Sequence, residues 1–453
     1  MEMKELVEGY RKELVDRLGK LVSVKSELGE AEENAPFGPG PKAVLEAALE
    51  MCKEDGFKTV NLDNYIGYAE MGEGEKLIGI VGHLDVVPAK KEDGWNTDPY
   101  TMVEKEGTLY GRGVSDDKGA VVASLIAMKV IKDMGIPVNK RIRLIMGTNE
   151  ESGSACLKHY VEKEGSVDYG FTPDGEFPLV YGEKGMVGAS YRSKKTNILD
   201  IQGGTVGNVV CKTCTIKVEK ASFSKKALED YFNNSSIEYT MEEVEDGVVI
   251  TVTGVAAHAS TPDLGRNAIS YLLTGLHSAG FQDPFCEFYC SHFGLETNGK
   301  SAGVYFKDEY GELTLNTGVI HMKDGVIEGS IDIRFPVTFT SKQILKQWND
   351  SLEDENGVIT IRHTTEPLFY PLDSPLVSSL LEAYREVTGD TETQPWVIGG
   401  GTYAKGIDNT IAFGCAFPNN DYRIHNTNEW VTVDELVQQA EIYVQAILNL
   451  LEL

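Results

Sequence analysis

Positive charge is scarce in this sequence. Its 453 residues carry 42 lysines and arginines against 70 aspartates and glutamates, a formal net charge of −28. Such a field repels polyanions and anionic bilayers, so nucleic acid is excluded as the expected partner. Long apolar runs are missing too: no stretch approaches the ~18 residues of a membrane span, and no membrane partner is expected. The opening segment, MEMKELVEGYRKELVDRLGKL, reads as an amphipathic helix whose charges interrupt the apolar core a secretory signal needs. Cysteine is sparse and odd in number, seven in all, which does not make a disulfide framework and fits a reducing, cytoplasmic compartment. CKTC, Cys211 to Cys214, lacks the second pair of a zinc ribbon and lies in the strand-like VVCKTCTIKV, so buried thiols are expected there.

What is present is a folding chain with 41% apolar residues and no low-complexity tract, long enough for two or more cores. The first third alternates helical and strand-like segments: GPKAVLEAALEMCKEDGF, KLIGIVG, KGAVVASLIAMKVIKDMG, RIRLIMGT and VDYGFTPD. That alternation predicts an α/β layer with a largely parallel sheet. From residue 182 the texture changes to longer alternating strands, such as DGVVITVTGV and GVIEGSIDIRF, separated by helices. After EPLFYPLDSP it returns to helix, glycine-rich turn and apolar strand. The expected fold is an α/β catalytic domain, residues 1–181 and 367–453, interrupted by an α+β domain, residues 182–366.

Acids recur where the predicted strands end. GIVGHLDVVP places His83 and Asp85 two residues apart after a buried run; a lone pair of this kind is also explained as a structural hydrogen bond. YGRGVSDDKGA sets Asp116 and Asp117 before an apolar helix, where an acid is also an ordinary N-cap. LIMGTNEESG closes a strand with Glu150 and Glu151, and GFTPDGEFP closes another with Asp174. In an open parallel sheet, ligands bind beyond the carboxyl ends of the strands, so these groups converge on one crevice. Clustered carboxylates repel one another unless positive charge compensates, and a donor set of carboxylates and imidazoles without thiolates suits zinc, manganese or cobalt. DYRIHNTNEW supplies a second imidazole, His425.

Taken together, GHLDVVP, GRGVSDDKG, NEESG, PDGEFP and IHNTNE resemble the dinuclear metallopeptidase family that contains aminoacylase-1, carboxypeptidase G and succinyl-diaminopimelate desuccinylase, and within it the PepV-type dipeptidases. The five motifs stand in the family's order from about residue 77 to 429. The resemblance implies two divalent cations per chain, zinc first, with manganese or cobalt as alternatives. It assigns His83 and Asp174 to one cation and Glu151 and His425 to the other, with Asp116 bridging both. It makes Asp85 the hydrogen-bond partner of the His83 ring and Glu150 the general base, and it implies a cis peptide between Asp116 and Asp117.

From the inserted domain it draws His258 and Asn208 as donors to the developing oxyanion. Arg334 is drawn as partner of the substrate's terminal carboxylate, with backbone N–H groups around Gly400, Gly401 and Thr402 adding to it. IGGGTYAKG has no Lys-Ser/Thr pair, so it does not read as a phosphate loop. One departure stands out: Cys211 occupies a place after Asn208 where the family commonly has proline. The length of the insert implies a PepV-like lid that completes the site within one chain, hence a monomer hydrolysing dipeptides and some tripeptides with a free N-terminus. Two other readings use the same residues: removal of an acyl group from an N-acyl amino acid, and a non-catalytic metal- or peptide-binding relative, against which Glu150 argues.

Overall fold

The computed structural model describes residues 3–453. Two compact units emerge: the first runs to Gly182 and resumes over Tyr370–Leu453, and the second is Glu183–Phe369, inserted between them in the chain.

In the first unit, Leu77–His83 is buried along its whole length, as befits a strand covered on both faces. It pairs in parallel with Arg141–Gly147 on one side and Tyr169–Thr172 on the other, and Thr410–Ala412 extends the parallel array. The strands Ile66–Met71 and Lys58–Leu62 continue the sheet antiparallel beyond Arg141–Gly147. Helix Lys118–Met134 packs against Leu77–His83, Arg141–Gly147 and the closing helix Val433–Glu452. It is apolar and buried almost throughout, and it stops at Gly135, whose φ of +65° suits the left-handed cap. Four parallel strands therefore deliver their carboxyl ends to one edge of the sheet.

The predicted amino-terminal helix is two, Met3–Gly9 and Arg11–Val22. Glycine is a poor interior helix residue, by about 1 kcal/mol relative to alanine, and the break follows Gly9. Residues 1 and 2 of that expected helix lie outside the described residues.

The second unit is built on an antiparallel sheet in the order Glu238–Val244, Gly247–Thr253, Thr213–Val218, Asp200–Gly203, Ile320–Lys323, Val326–Phe335, Gly185–Ser193, Gly357–Thr365. Alternate residues of Thr213–Val218 are buried, and its apolar positions join helices Lys225–Asn234, Ala268–Ser278, Pro284–His292 and Ser341–Trp348 in one core. The α/β unit with an α+β insert is the expected fold class. Cys211 and Cys214 are buried free thiols. Among the described residues, no helix is long and apolar enough to cross a membrane.

Candidate metal centre

His83 is the last residue of the central strand, and two contacts fix its position. Its backbone N–H donates to Asp117 Oδ2 at 3.0 Å. That carboxylate needs a glycine beside it, because a Cβ on Gly82 would stand 2.7 Å from Asp117 Oδ2 and 2.6 Å from Val121. The imidazole Nδ1 lies 2.9 Å from the backbone carbonyl of Asp85, which can accept its N–H and so leave Nε2 facing the acidic cluster. Nε2 is 3.0 Å from Asp116 Oδ1 and 3.8 Å from Asp174 Oδ2.

Asp116 ends the turn before helix Lys118–Met134, and its peptide to Asp117 is cis. Its second oxygen, Oδ2, lies 2.9 Å from His425 Nε2. The same ring nitrogen is 3.0 Å from Glu151. His425 sits in a loop with a φ of +62° and is half-exposed. The donors therefore form two triads, His83–Asp116–Asp174 and Asp116–Glu151–His425, in each of which one atom per residue lies within 4.8 Å of the others. Asp116 belongs to both and turns one oxygen to each.

Asp85 departs from expectation. Its carboxylate is 3.6 Å from His83 Nδ1, while it accepts hydrogen bonds from the backbone N–H groups of Glu150 and Glu151 at 3.0 and 3.1 Å. The strand ends at His83, so the two-residue alternation that would set both side chains on one face no longer applies. Asp85 instead ties the loop carrying Glu150 and Glu151 to the end of the central strand, and its main chain orients the imidazole.

Sequence reasoning gave no role to Glu429, the last letter of IHNTNE. It is wholly buried and accepts from the N–H groups of Gly113, Ser115 and Asp116 at 3.1, 2.9 and 3.1 Å, and from Arg112 Nη1 at 2.7 Å. The turn that presents Asp116 is thus wrapped around one carboxylate. Residues so far apart in the chain give no spacing to read. Replacing Glu429 with Ala would leave Arg112 buried and uncompensated, and the unfolding free energy is expected to fall by about 3–5 kcal/mol, measured by urea denaturation.

The electrostatics ask for cations. Burial and the neighbouring Asp116 push the Asp174 carboxyl up to about 7. Burial and Asp174 raise Glu150 well above the carboxylate range, and burial and Asp116 raise Glu151. Burial works against the charge of His425, yet Asp116 and Glu151 hold its pKa up to about 11. Protons thus stand in for positive charge that divalent ions would supply, and oxygen and imidazole donors without a thiolate fit zinc, manganese or cobalt.

Gly400, Gly401 and Thr402 line a cavity of about 600 Å³ with Asp174, Trp396, Ile398 and Phe417. Thr402 also accepts a hydrogen bond from the N–H of Ala404 at 3.1 Å. Within the second unit, Asn208 and His258 lie on adjoining backbone segments: the N–H of Ala259 donates to the carbonyl of Asn208 at 2.9 Å. His258 Nδ1 lies 2.7 Å from Ser260 Oγ and 3.2 Å from the Ser260 N–H, so Ser260 holds one side of the ring and leaves Nε2 on the other. Arg334 is buried, with Nε and Nη2 on the carboxylate of Asp332 at 2.6 and 2.9 Å.

Comparison with known proteins places the chain in a family. Residues 79–449 match peptidase family M20/M25/M40. The Bacillus subtilis (strain 168) protein named "Putative dipeptidase YtjP" is 33% identical over 458 residues, covering 97% of each chain. A like-named Staphylococcus haemolyticus protein is 31% identical, covering 99% of each. Among solved structures, human carnosine dipeptidase 1 superposes with a TM-score of 0.62 at 18% identity, covering 100% of this chain and 98% of that one. A Staphylococcus aureus tripeptidase gives 0.57 at 18% identity, covering 98% and 99%; at such identities the likeness concerns the fold. The chain belongs to peptidase family M20/M25/M40 and is a metal-dependent hydrolase of peptide bonds.

Proposed function

We propose that this protein hydrolyses dipeptides, and some tripeptides, with a free N-terminus at a centre of two divalent cations, zinc foremost and manganese or cobalt as alternatives. The observation that carries this reading is the pair of triads sharing Asp116, with Glu150 beside Glu151 in the chain. His83 and Asp174 would hold one ion, Glu151 and His425 the other, and Asp116 both. Bound there, the ions would polarise the scissile carbonyl and acidify the attacking water.

The chain's own groups do the rest. Glu150 takes the proton from the water and delivers it to the leaving amine, a shuttle that needs a carboxylate beside the ligands but not among them. His258, its ring held on the Nδ1 side by Ser260, and Asn208 meet the oxygen that becomes negative. Arg334, held in orientation by Asp332, and the backbone around Gly400, Gly401 and Thr402 take the substrate's terminal carboxylate. Residues 182–366 act as the lid, residues 1–181 and 367–453 as the catalytic domain, and one chain is competent as a monomer. Cytoplasmic action accords with seven cysteines that are all free.

The test is a panel of dipeptides and N-acetyl amino acids assayed on stripped protein with zinc, manganese or cobalt restored. Faster turnover of the free-amine dipeptides is expected; faster cleavage of acetylated amino acids would give the site to deacylation instead. A second expectation concerns the lid. His258 is exposed, so its replacement by Ala should leave stability within about 0.5 kcal/mol while lowering kcat about 10²–10³-fold with cation content unchanged. Thermal melts, steady-state kinetics and metal analysis on one preparation separate these outcomes.

A further inference from the structure

In the second unit, helix Ala268–Ser278 carries His277 in its last turn, and the chain then reverses into helix Pro284–His292, which packs against it. Cys286 and Cys290 are four apart on that second helix, hence on one face. The imidazole of His277 and both sulfurs lie within 4.8 Å of one another. Cys286 is fully buried, Cys290 half-buried and His277 exposed.

The framework around these groups is fixed. Asp283 caps the second helix by accepting from the N–H of Cys286 at 2.7 Å, and also accepts from Thr196 Oγ1 at 3.0 Å. Cys286 Sγ donates to the carbonyl of Leu273 at 3.2 Å, tying the sulfur to the first helix. Nothing in the proposed hydrolysis uses this cluster.

Its chemistry differs from that of the other thiols. Burial drives up Cys52, Cys156, Cys211, Cys214 and Cys415. The Cys290 thiol is lowered by hydrogen bonding with Cys286, whose own thiol is raised by the same contact and by burial. Two sulfurs and an imidazole this close together are a donor set that a soft cation suits. Zinc bound by thiolate at ~2.3 Å and imidazole at ~2.0–2.1 Å needs ligand atoms roughly 3.5–3.8 Å apart. The three atoms, within 4.8 Å of one another, stand at most about an ångström beyond that spacing. Two thiolates balance a divalent ion, so no net charge is left at a half-buried place.

We propose that His277, Cys286 and Cys290 form a separate binding site for a thiophilic cation, zinc above all, which clips helices Ala268–Ser278 and Pro284–His292 together. Entry of the hydrated ion forms two S–Zn bonds and one N–Zn bond. The thiol protons pass to buffer and the displaced waters to solvent, with no change of oxidation state. A water completes the tetrahedron on the exposed side. The role is structural, since the ion joins two packed helices of the second unit's core.

Cobalt(II) is the probe, because sulfur-to-cobalt charge transfer absorbs in the near ultraviolet and a centre of carboxylates and imidazoles has no such band. Titration of the full chain is expected to develop the band to the intensity of one thiolate-bound cobalt per chain, with zinc displacing it. The band should persist in His83→Ala, vanish in the double variant Cys286→Ser with Cys290→Ser, and require at least tenfold more cobalt in His277→Ala. Absence of the band at saturating cobalt, or its survival in the double serine variant, would overturn the assignment. So would a Cys286–Cys290 disulfide found in freshly purified protein by peptide mass mapping. Should the serine variant not fold, maleimide labelling of Cys290 in the natural sequence decides: zinc is expected to slow it at least tenfold, and an unchanged rate would refute the site. Failure of these tests leaves the proposed hydrolytic centre untouched, because the ligand sets share no residue.

Discussion

Replacing Glu150 with Gln is expected to lower kcat by about 10²–10⁴-fold while leaving cation content and KM near their original values. The amide keeps the size of the side chain and the backbone N–H that donates to Asp85 Oδ1 at 3.0 Å, so the loop that also carries Glu151 is undisturbed. What is lost is the capacity to accept a proton. In the metal-free chain, burial and Asp174 hold the Glu150 carboxyl protonated well above its ordinary range, with His83 pulling the other way. Divalent charge held at Asp174 and Asp116 would offset the acidic neighbours and lower the Glu150 pKa, so that the carboxylate could ionise and accept the proton. Steady-state kinetics with metal analysis on the same sample checks this. A decrease of less than tenfold with full metal content would remove Glu150 as the proton carrier.

How far the site could be read in the sequence depended on whether a residue's role is local. His83, Asp116, Glu150, Glu151 and Asp174 stand at the ends of strands or at a helix start, and a parallel array sends all those ends to one edge, so topology gathers them whatever the loops do. His425 was legible through its motif, although its position rests on a loop with a left-handed φ. Asp85 misled because strand alternation was carried past the strand's last residue. Glu429 was invisible because its work is done on backbone N–H groups in a distant turn, and a carboxylate that neutralises backbone and Arg112 has no signature beyond being an acid. In the insert, the joining of the Asn208 and His258 segments through backbone hydrogen bonds is long-range strand chemistry that no spacing encodes. The cysteine pair on helix Pro284–His292 shows its four-residue spacing plainly, but its histidine comes from another helix, and so it passed unnoticed.

Removal of the cations is expected to abolish turnover, by more than about 10³-fold, and the affinity with which zinc returns should climb steeply with pH. The sign follows from what must leave. In the metal-free chain the opposing carboxylates hold His425 up to about 11 and His83 well above its usual range, while Asp174 is held up to about 7. Each proton displaced adds a factor of about ten in apparent affinity per pH unit below the pKa of its group. Below pH 7 the two imidazoles, Asp174 and the raised Glu150 carboxyl release protons; above it Asp174 is already ionised and its share of the slope is lost. Stability runs in the opposite sense without metal. A carboxyl raised from its ordinary 3.8 to about 7 contributes stability that is complete below pH ~4 and is lost as pH rises through ~7, because the folded state binds more protons than the unfolded one across that window. Cations replace that lost compensation. The rise in Tm on adding zinc to stripped protein should therefore be small near pH 5 and large near pH 8, and calorimetric titrations in two buffers of different ionisation enthalpy should register proton release that shrinks above pH 7. A zinc-induced Tm rise independent of pH would mean that the carboxylates and imidazoles around Asp116 are not the groups the cation engages.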